Sequence, residues 1–267
     1  MKKKALVVGS FVSKSVSPII FNYWFEKHNI DANYDFREIE EKNFNEEINN
    51  ILNDKEIIGF NVTIPFKELI KNKLSSFDEH SKEIGAVNCV SRHGKSWVGK
   101  NTDWVGFCRT IKQSISEQSK KTAVVLGYGG AAKAIVYSLK KSGFKKIKIY
   151  NRTKRKIKKF NVGEQITTID FQDISKEIKD ANIVINTIPV NILQETLAQN
   201  DINEIFACDI VYNPKTTNFL NHFKKEKHIY GISMLVHQAA PCFEEWFGVK
   251  PIVDEGLWRL LDRKIKQ

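Results

Sequence analysis

Gly127-Tyr128-Gly129-Gly130-Ala131-Ala132 satisfies Gly-x-Gly-x-x-Ala, a spacing suited to holding the pyrophosphate of a dinucleotide. Gly127 permits a tight turn, Gly129 lets the backbone approach a phosphate, and Ala132 allows close packing of helix on strand. The N-terminus of the following helix would add free N–H groups and a partial positive charge. A glycine cluster by itself also fits a plain turn, so its context decides. Thr122–Leu126 reads as a buried strand, a helix follows to about Gly143, and Lys146–Tyr150 reads as the returning strand of a βαβ unit.

The end of that second strand points to the kind of dinucleotide. An NAD site usually places Asp or Glu there, to hold the ribose 2′-OH. This chain has Asn151-Arg152-Thr153 and then Lys154-Arg155-Lys156. A carboxylate would repel a 2′-phosphate, whereas Arg152 can pair with one through its planar fork and stack on adenine. The expected cofactor is therefore NADP(H). Lys156 of the basic run is expected to help hold it, and Lys158 and Lys159 read as solvated.

A second set of polar residues clusters at strand ends in the first part of the chain. These are Ser15-Val16-Ser17-Pro18, Asn61-Val62-Thr63-Ile64-Pro65-Phe66-Lys67, Gly85-Ala86-Val87-Asn88 and Asn101-Thr102-Asp103. Singly, each has a plain structural reading: Ser17 as a helix cap, Lys67 as a surface lysine, Asn88 as a turn residue, Asp103 as an N-cap. Together they supply hydroxyls, amides, one ammonium and one carboxylate, a set that suits a small polyhydroxylated acid.

The elements that must position these residues alternate between strand and helix. Strands are expected at Ala5–Val8, Tyr34–Ile39 and Ile57–Thr63, and helices from Ser17-Pro18 to about His28 and over Phe44–Leu52. Another helix is expected from Pro65, then a hairpin of Ala86–Ser91 with Trp97–Lys100, then a helix over Asp103–Ser114. After the βαβ unit come strands at Ile183–Asn186 and Ile205–Val211 and closing helices at Met234–Phe247 and Glu255–Ile265. The fold is expected to be α/β in two lobes. Residues 1–105, completed by 235–267, would bind substrate, and residues 106–234 would form a Rossmann-like NADP-binding domain. The C-terminal helices would pack back on the first lobe.

The 267 residues suffice for one large or two modest domains, at roughly 100–200 residues each. With 42% hydrophobic and 27% charged residues, a sizeable core is expected and wholesale disorder is not. No apolar run approaches the ~18 residues of a membrane helix, and the apolar stretch after Met1-Lys2-Lys3-Lys4 ends at Val8, so it reads as a buried strand of a cytoplasmic protein. Cys89, Cys108, Cys208 and Cys242 are scattered without a Cys-x-x-Cys pair, which favours buried reduced thiols over zinc or disulfides. The net charge of +11 allows nucleic-acid binding or a positive field for anionic small molecules. Phe60, Phe66, Tyr150 and Trp246 fall mostly in apolar segments, which favours the small molecule and neither nucleic acid nor membrane as partner.

In order along nearly the whole chain, these motifs resemble the NADP-dependent shikimate dehydrogenase family. They are Ser15-x-Ser17-Pro18, Asn61-Val62-Thr63-x-Pro65-x-Lys67, Gly85-Ala86-Val87-Asn88, Asn101-Thr102-Asp103, the Gly127 loop and Asn151-Arg152-Thr153. The series continues through Asp209-Ile210-Val211-Tyr212-Asn213-Pro214 to Gly231-x-x-Met234-Leu235-x-x-Gln238-Ala239-Ala240. Phe11-Val12, Lys14, Cys89 and Asn186-Thr187-Ile188-Pro189 depart from the family pattern.

The resemblance implies reversible NADPH-dependent reduction of 3-dehydroshikimate to shikimate, on the route to chorismate and aromatic amino acids. It implies Lys67 and Asp103 as the catalytic pair. Ser15, Ser17, Thr63, Asn88, Tyr212 and Gln238 would join that pair on the substrate. On the cofactor side it implies Gly127, Tyr128, Gly129, Gly130, Ala131, Asn151, Arg152, Thr153, Lys156, Ile210 and Gly231, with no metal and a monomer or homodimer. The alternatives are a quinate/shikimate dehydrogenase using NAD, a folate-linked NADP dehydrogenase and a basic nucleic-acid-binding protein. Arg152 opposes the first, Ser15, Ser17 and Gln238 the second, and the placement of the aromatics the third.

Overall fold

A computed structural model describes residues 3–117, 120–153, 165–190, 192–193 and 202–266. The chain divides into two compact units, one of Met1–Asp103 with Leu235–Lys264, the other of Trp104–Met234 with Ile265–Gln267.

The first unit is built on a six-stranded mixed sheet. Its strands are β1 (Lys3–Gly9), β2 (Ala32–Glu38), β3 (Ile57–Val62), β4 (Ser76–Phe77), β5 (Cys89–His93) and β6 (Ser96–Lys100), in the order β2-β1-β3-β5-β6-β4. β1 runs parallel to β2 and β3, whereas β5 is antiparallel to β3 and β6 and forms the expected hairpin around Gly94. Helices α1 (Ser17–His28), α2 (Phe44–Asn53) and α3 (Glu79–Ile84) connect the strands.

Alternate side chains of each strand go to opposite faces. Leu6, Val8, Phe60 and Val62 join Phe44, Ile48 and Ile51 of α2 in one buried cluster. A separate aromatic cluster joins α1 to the C-terminal region. Phe21 stacks on Tyr34 at 3.9 Å and on Trp246 at 5.6 Å, and Phe243 packs against Phe21, Trp24 and Phe25. Gly59 makes room for this packing, because a Cβ there would fall 2.2 Å from Trp246 Nε1. Tyr23 Oη donates to Asp254 Oδ1 at 2.6 Å and Trp24 Nε1 to the Ile252 carbonyl at 3.1 Å, so the C-terminal helices do pack back on this unit.

The second unit begins within α4 (Asp103–Ser114), whose limits agree with the sequence reading. Its sheet contains β7 (Thr122–Leu126), β8 (Lys146–Tyr150), β9 (Ile166–Ile169), β10 (Ile183–Asn186), β11 (Phe206–Asp209) and β12 (His228–Tyr230). The order is β12-β11-β10-β7-β8-β9 with every pair parallel, the doubly wound order of dinucleotide-binding sheets. Helices α5 (Gly130–Lys141) and α6 (Ile174–Lys179) lie between strands, and α7 (Gly231–Phe247) and α8 (Glu255–Lys264) end the chain. One cluster, with Val125, Ile147, Ile149 and Ile185, packs against α4 and α5, and another, with Val124, Leu126 and Val184, packs against α6. Burial of both faces explains why β7 and β10 read as continuous apolar runs, whereas Lys146 and Lys148 alternate with buried Ile147 and Ile149 in β8. Among the described residues no helix is long and apolar enough to cross a membrane.

Two local expectations are corrected. Ser17 is not a helix cap: Val16 holds that position, and Ser17 lies inside α1. The Ser17 hydroxyl is turned back onto Ser15 instead, accepting from Ser15 Oγ at 3.1 Å. No α-helix starts at Pro65 either. The chain turns, with Phe66 N donating to the Thr63 carbonyl, and reaches a short 3₁₀ segment at Ile70–Lys73. The Lys67 carbonyl is taken by Val87 N at 2.8 Å, a long-range partner that competes with helix formation.

Candidate active site

Lys67 is presented by a turn that is held on three sides. Thr63 N donates to the Val8 carbonyl, Lys67 O accepts from Val87 N, and the fully buried Phe66 ring packs on Phe44 at 4.7 Å. The ammonium then has one direction to take. Lys67 Nζ lies 2.6 Å from Asp103 Oδ2, with the two side chains only 12% and 6% exposed. Asp103 opens α4, where the helix N-terminus favours an acid.

Asn88 joins this pair to the rest of the unit. Its Nδ2 lies 2.9 Å from each of three acceptors: Asp103 Oδ1, Thr102 Oγ1 and Gln238 Oε1. Its Oδ1 accepts from Thr102 N at 2.6 Å. An amide carries two N–H bonds, so three acceptors around it exceed its donors. Gln238 is oriented from its other end, Nε2 donating to the Leu235 carbonyl at 3.0 Å.

Ser15 and Thr63 stand on the loops after β1 and β3, and Ser17 opens α1. Ser15 Oγ accepts from Ser17 N at 3.2 Å. Glu38 Oε2 accepts from Val12 N and Ser13 N at 3.0 and 3.1 Å, and Ser10 N donates to the Ile64 carbonyl. Those Ser13 contacts hold the Glu38 carboxyl below its usual range. Gly9 is required where these loops meet, since a Cβ there would come within 2.4 Å of Thr63 Cγ2.

Further residues complete this arrangement beyond those that the resemblance implies. Thr102 fixes Asn88. Asn61 donates to the Asn88 carbonyl at 3.0 Å and accepts from Tyr34 Oη at 2.7 Å. Cys242 lies one helical turn after Gln238, and its Sγ is 3.2 Å from both Asn61 Nδ2 and Thr102 Oγ1. The sequence signal for Thr102 was its place beside Asp103; nothing local marks Cys242. Cys89, which departs from the family pattern, is fully buried, and burial followed by the neighbouring Cys242 thiol pushes its own thiol well up. Cys208 is also buried, whereas Cys108 is only half-buried, contrary to the uniform burial expected.

In the second unit the glycine loop joins β7 to α5. Gly127 has φ of 105°, and a Cβ there would lie 2.4 Å from Thr187 Oγ1, so both conformation and space demand glycine. Gly129 is the N-cap of α5, and a Cβ on it would meet nothing within 4 Å. That leaves open space before the first turn of α5, whose N–H groups have no partners within the helix. Tyr128 and Ala132 are buried beside the loop, and Gly130 and Ala131 form the first turn.

Gly127 N donates to the Tyr150 carbonyl at 2.7 Å, so the loop sits beside Asn151, Arg152 and Thr153. Asn151 Nδ2 donates to the Thr153 carbonyl, and Arg152 and Thr153 are exposed. Lys156 lies outside the described residues. Ile210 and Gly231 are brought together: a Cβ on Gly231 would fall 2.5 Å from the Ile210 carbonyl. Tyr212 is half-buried in this unit, whereas the other expected substrate residues belong to the first. Among the described residues no group of three or more His, Cys, Asp or Glu could hold a metal ion.

Residues 7–90 match the family described as "Shikimate dehydrogenase substrate binding domain", and residues 109–214 match "Shikimate / quinate 5-dehydrogenase". The chain is 32% identical to the NADP(+) shikimate dehydrogenase of Bartonella henselae, over 95% of this chain and 91% of the relative. It is 31% identical to that of Staphylococcus epidermidis, over 100% and 98%. Among solved structures it is similar to shikimate dehydrogenase from Aquifex aeolicus, with a TM-score of 0.84 and 29% identity over 100% of this chain and 98% of the other. It also matches the Thermus thermophilus enzyme in complex with NADP(H) and shikimate, with a TM-score of 0.85 and 26% identity over 98% and 100%. The agreement spans both units, and the chain belongs to the shikimate dehydrogenase family.

Proposed function

We propose that Lys67 is the acid–base group of an NADP-dependent shikimate dehydrogenase, interconverting 3-dehydroshikimate and shikimate. The observation that carries this is the Lys67–Asp103–Asn88 chain, an ammonium held by a carboxylate that is itself held by an amide. In reduction the Lys67 ammonium gives a proton to the oxygen of the substrate carbonyl, and in oxidation the neutral amine takes it from the hydroxyl. Asp103 aims Lys67 through Oδ2, and Asn88 keeps that carboxylate from rotating away.

Asp103, Gln238 and Thr102 together offer more acceptors than Asn88 has protons, which leaves acceptor capacity for substrate hydroxyls. Ser15 and Ser17 hold the substrate carboxylate, with Thr63 beside them, and Tyr212 is assigned to the substrate as well. Residues 1–105 with 235–267 form the substrate domain, and residues 106–234 the cofactor domain.

The second unit fits NADP. Gly127, Tyr128, Gly129, Gly130 and Ala131 are assigned to the pyrophosphate, which would sit in the open space that Gly129 leaves at the α5 N-terminus. Asn151, Arg152, Thr153 and Lys156 hold the 2′-phosphate end, and Ile210 and Gly231 border the nicotinamide. When bound, NADPH supplies the hydride.

The test is the absorbance of NADPH during oxidation of shikimate and of quinate, each with NADP and with NAD. The expected result is turnover with shikimate and NADP far above the other three combinations. Faster turnover with quinate or with NAD would reject this assignment.

A further inference from the structure

Asp209 ends β11 as a buried carboxylate, 1% exposed, that the proton transfer above does not use. Its Oδ2 accepts from Thr217 Oγ1 at 2.6 Å and from Asn186 Nδ2 at 3.2 Å, and its Oδ1 accepts from Val211 N at 3.0 Å. Burial holds its carboxyl above the usual carboxylate range, and these three donors offset that only in part. Among the described residues its hydrogen-bond partners are all neutral.

The segments at the carboxyl ends of three adjacent parallel strands converge on this group. Asn186, at the end of β10, accepts from Ile210 N through its carbonyl at 3.1 Å, and its side chain binds both the N–H and the carbonyl of Ile188. Thr187, between them, donates through both N and Oγ1 to the Leu126 carbonyl at the end of β7 and fills the space beside Gly127. On the other side, a Cβ on Gly231 would lie 2.6 Å from the Asp209 carbonyl. Ligands of open parallel sheets bind outside these strand ends.

We propose that Asp209 is a positioning residue for the nicotinamide half of NADP, its carboxylate holding the Ile210–Val211 segment at a fixed spacing from the Thr187–Ile188 turn. The proposal rests on the assignment of Ile210 and Gly231 to the nicotinamide. Three donors converge on Asp209, so an acceptor-only side chain is required; an asparagine would turn an N–H toward another donor. A displaced wall would misplace the nicotinamide ring while leaving the Arg152 end of the site intact.

The test is Asp209→Asn, with binding of NADP and of its adenosine bisphosphate half measured separately, without substrate. The expected result is roughly tenfold weaker binding of NADP, unchanged binding of the adenosine bisphosphate half, a lower kcat and an unchanged KM for shikimate. Thr217→Val, which removes one donor and leaves the carboxylate in place, is expected to show the same pattern more weakly, and it decides the matter if Asp209→Asn does not fold. Equal losses for NADP and its half, or no loss for either, would overturn the proposal. A wild-type chain that binds neither would overturn the cofactor assignment as well.

Discussion

Lys67 Nζ and Asp103 Oδ2 approach to 2.6 Å although 36 positions separate them in the chain. Neither residue has a second ion-pair partner among the described residues. Replacing Lys67 with Ala is expected to lower kcat by about 10²–10⁴-fold, the usual worth of a positioned acid–base group, with a much smaller loss of shikimate affinity. Steady-state rates beside a direct shikimate titration measure the two effects separately. A variant retaining most of its kcat would remove Lys67 from the chemistry.

Ser15 carries the local structural role that the sequence assigned to Ser17. Its hydroxyl accepts from Ser17 N and donates to Ser17 Oγ. Ser15→Ala is therefore expected to lower the melting temperature as well as raise the KM for shikimate. Ser17→Ala is expected to raise KM with less thermal loss. Each lost neutral-to-charged hydrogen bond is worth roughly ten- to hundred-fold in KM. Melting curves of the two single variants check the order, and equal melting temperatures would contradict it.

The two loop glycines are expected to fail differently. Gly127→Ala adds strain at positive φ and drives a methyl group into Thr187, so it should destabilise the fold. Gly129→Ala places its methyl in open space and should melt like the parent while raising the KM for NADP and sparing that for shikimate. Thermal unfolding and both KM values decide it. An unchanged NADP KM in Gly129→Ala would place the pyrophosphate elsewhere.

Arg152 is exposed beside Asn151, where an NAD enzyme places a carboxylate. Arg152→Glu removes a charge-assisted partner of about 1.5–3 kcal/mol per bond and adds repulsion toward a 2′-phosphate. The ratio of kcat/KM for NADP over NAD is expected to fall by at least roughly tenfold. A constant ratio would show that Arg152 does not read the phosphate.

Glu38 ties the loop before Ser15 to the end of β2, and the Ser13 N–H and hydroxyl hold its carboxyl below the ordinary range. A depressed folded value means that its stabilisation is present above the unfolded value, about 4.3, and is lost as the pH falls through the folded one. Glu38→Gln should therefore melt below the parent at neutral pH, and the gap should close on acidification. Melting curves of both proteins across pH test this, and a gap that persists in acid would exclude the carboxylate as its source.

The sequence by itself determined the elements whose signals are local. Thr122–Leu126, Lys146–Tyr150 and Asp103–Ser114 have the limits read from it, because an apolar run in the first, alternating Lys and Ile in the second and an acidic opening residue in the third are properties of neighbouring residues. Short elements such as β4, α3, β9 and β12 are not legible in the sequence, since two to six residues show little periodicity. Ser17 and Pro65 misled for a related reason. Their local preferences for a cap and a helix start lost to partners supplied by Ser15 and Val87.

The tertiary structure alone decided which polar groups meet. Asn88 and Gln238 touch across 150 positions, and Cys242 joins Asn61 to Thr102 only because α7 returns to the first sheet. Composition and spacing supplied the chemical groups. Their distances follow from burying the Phe21–Tyr34–Trp246 cluster, since apolar packing of that size sets where the helix, and with it Gln238, comes to rest.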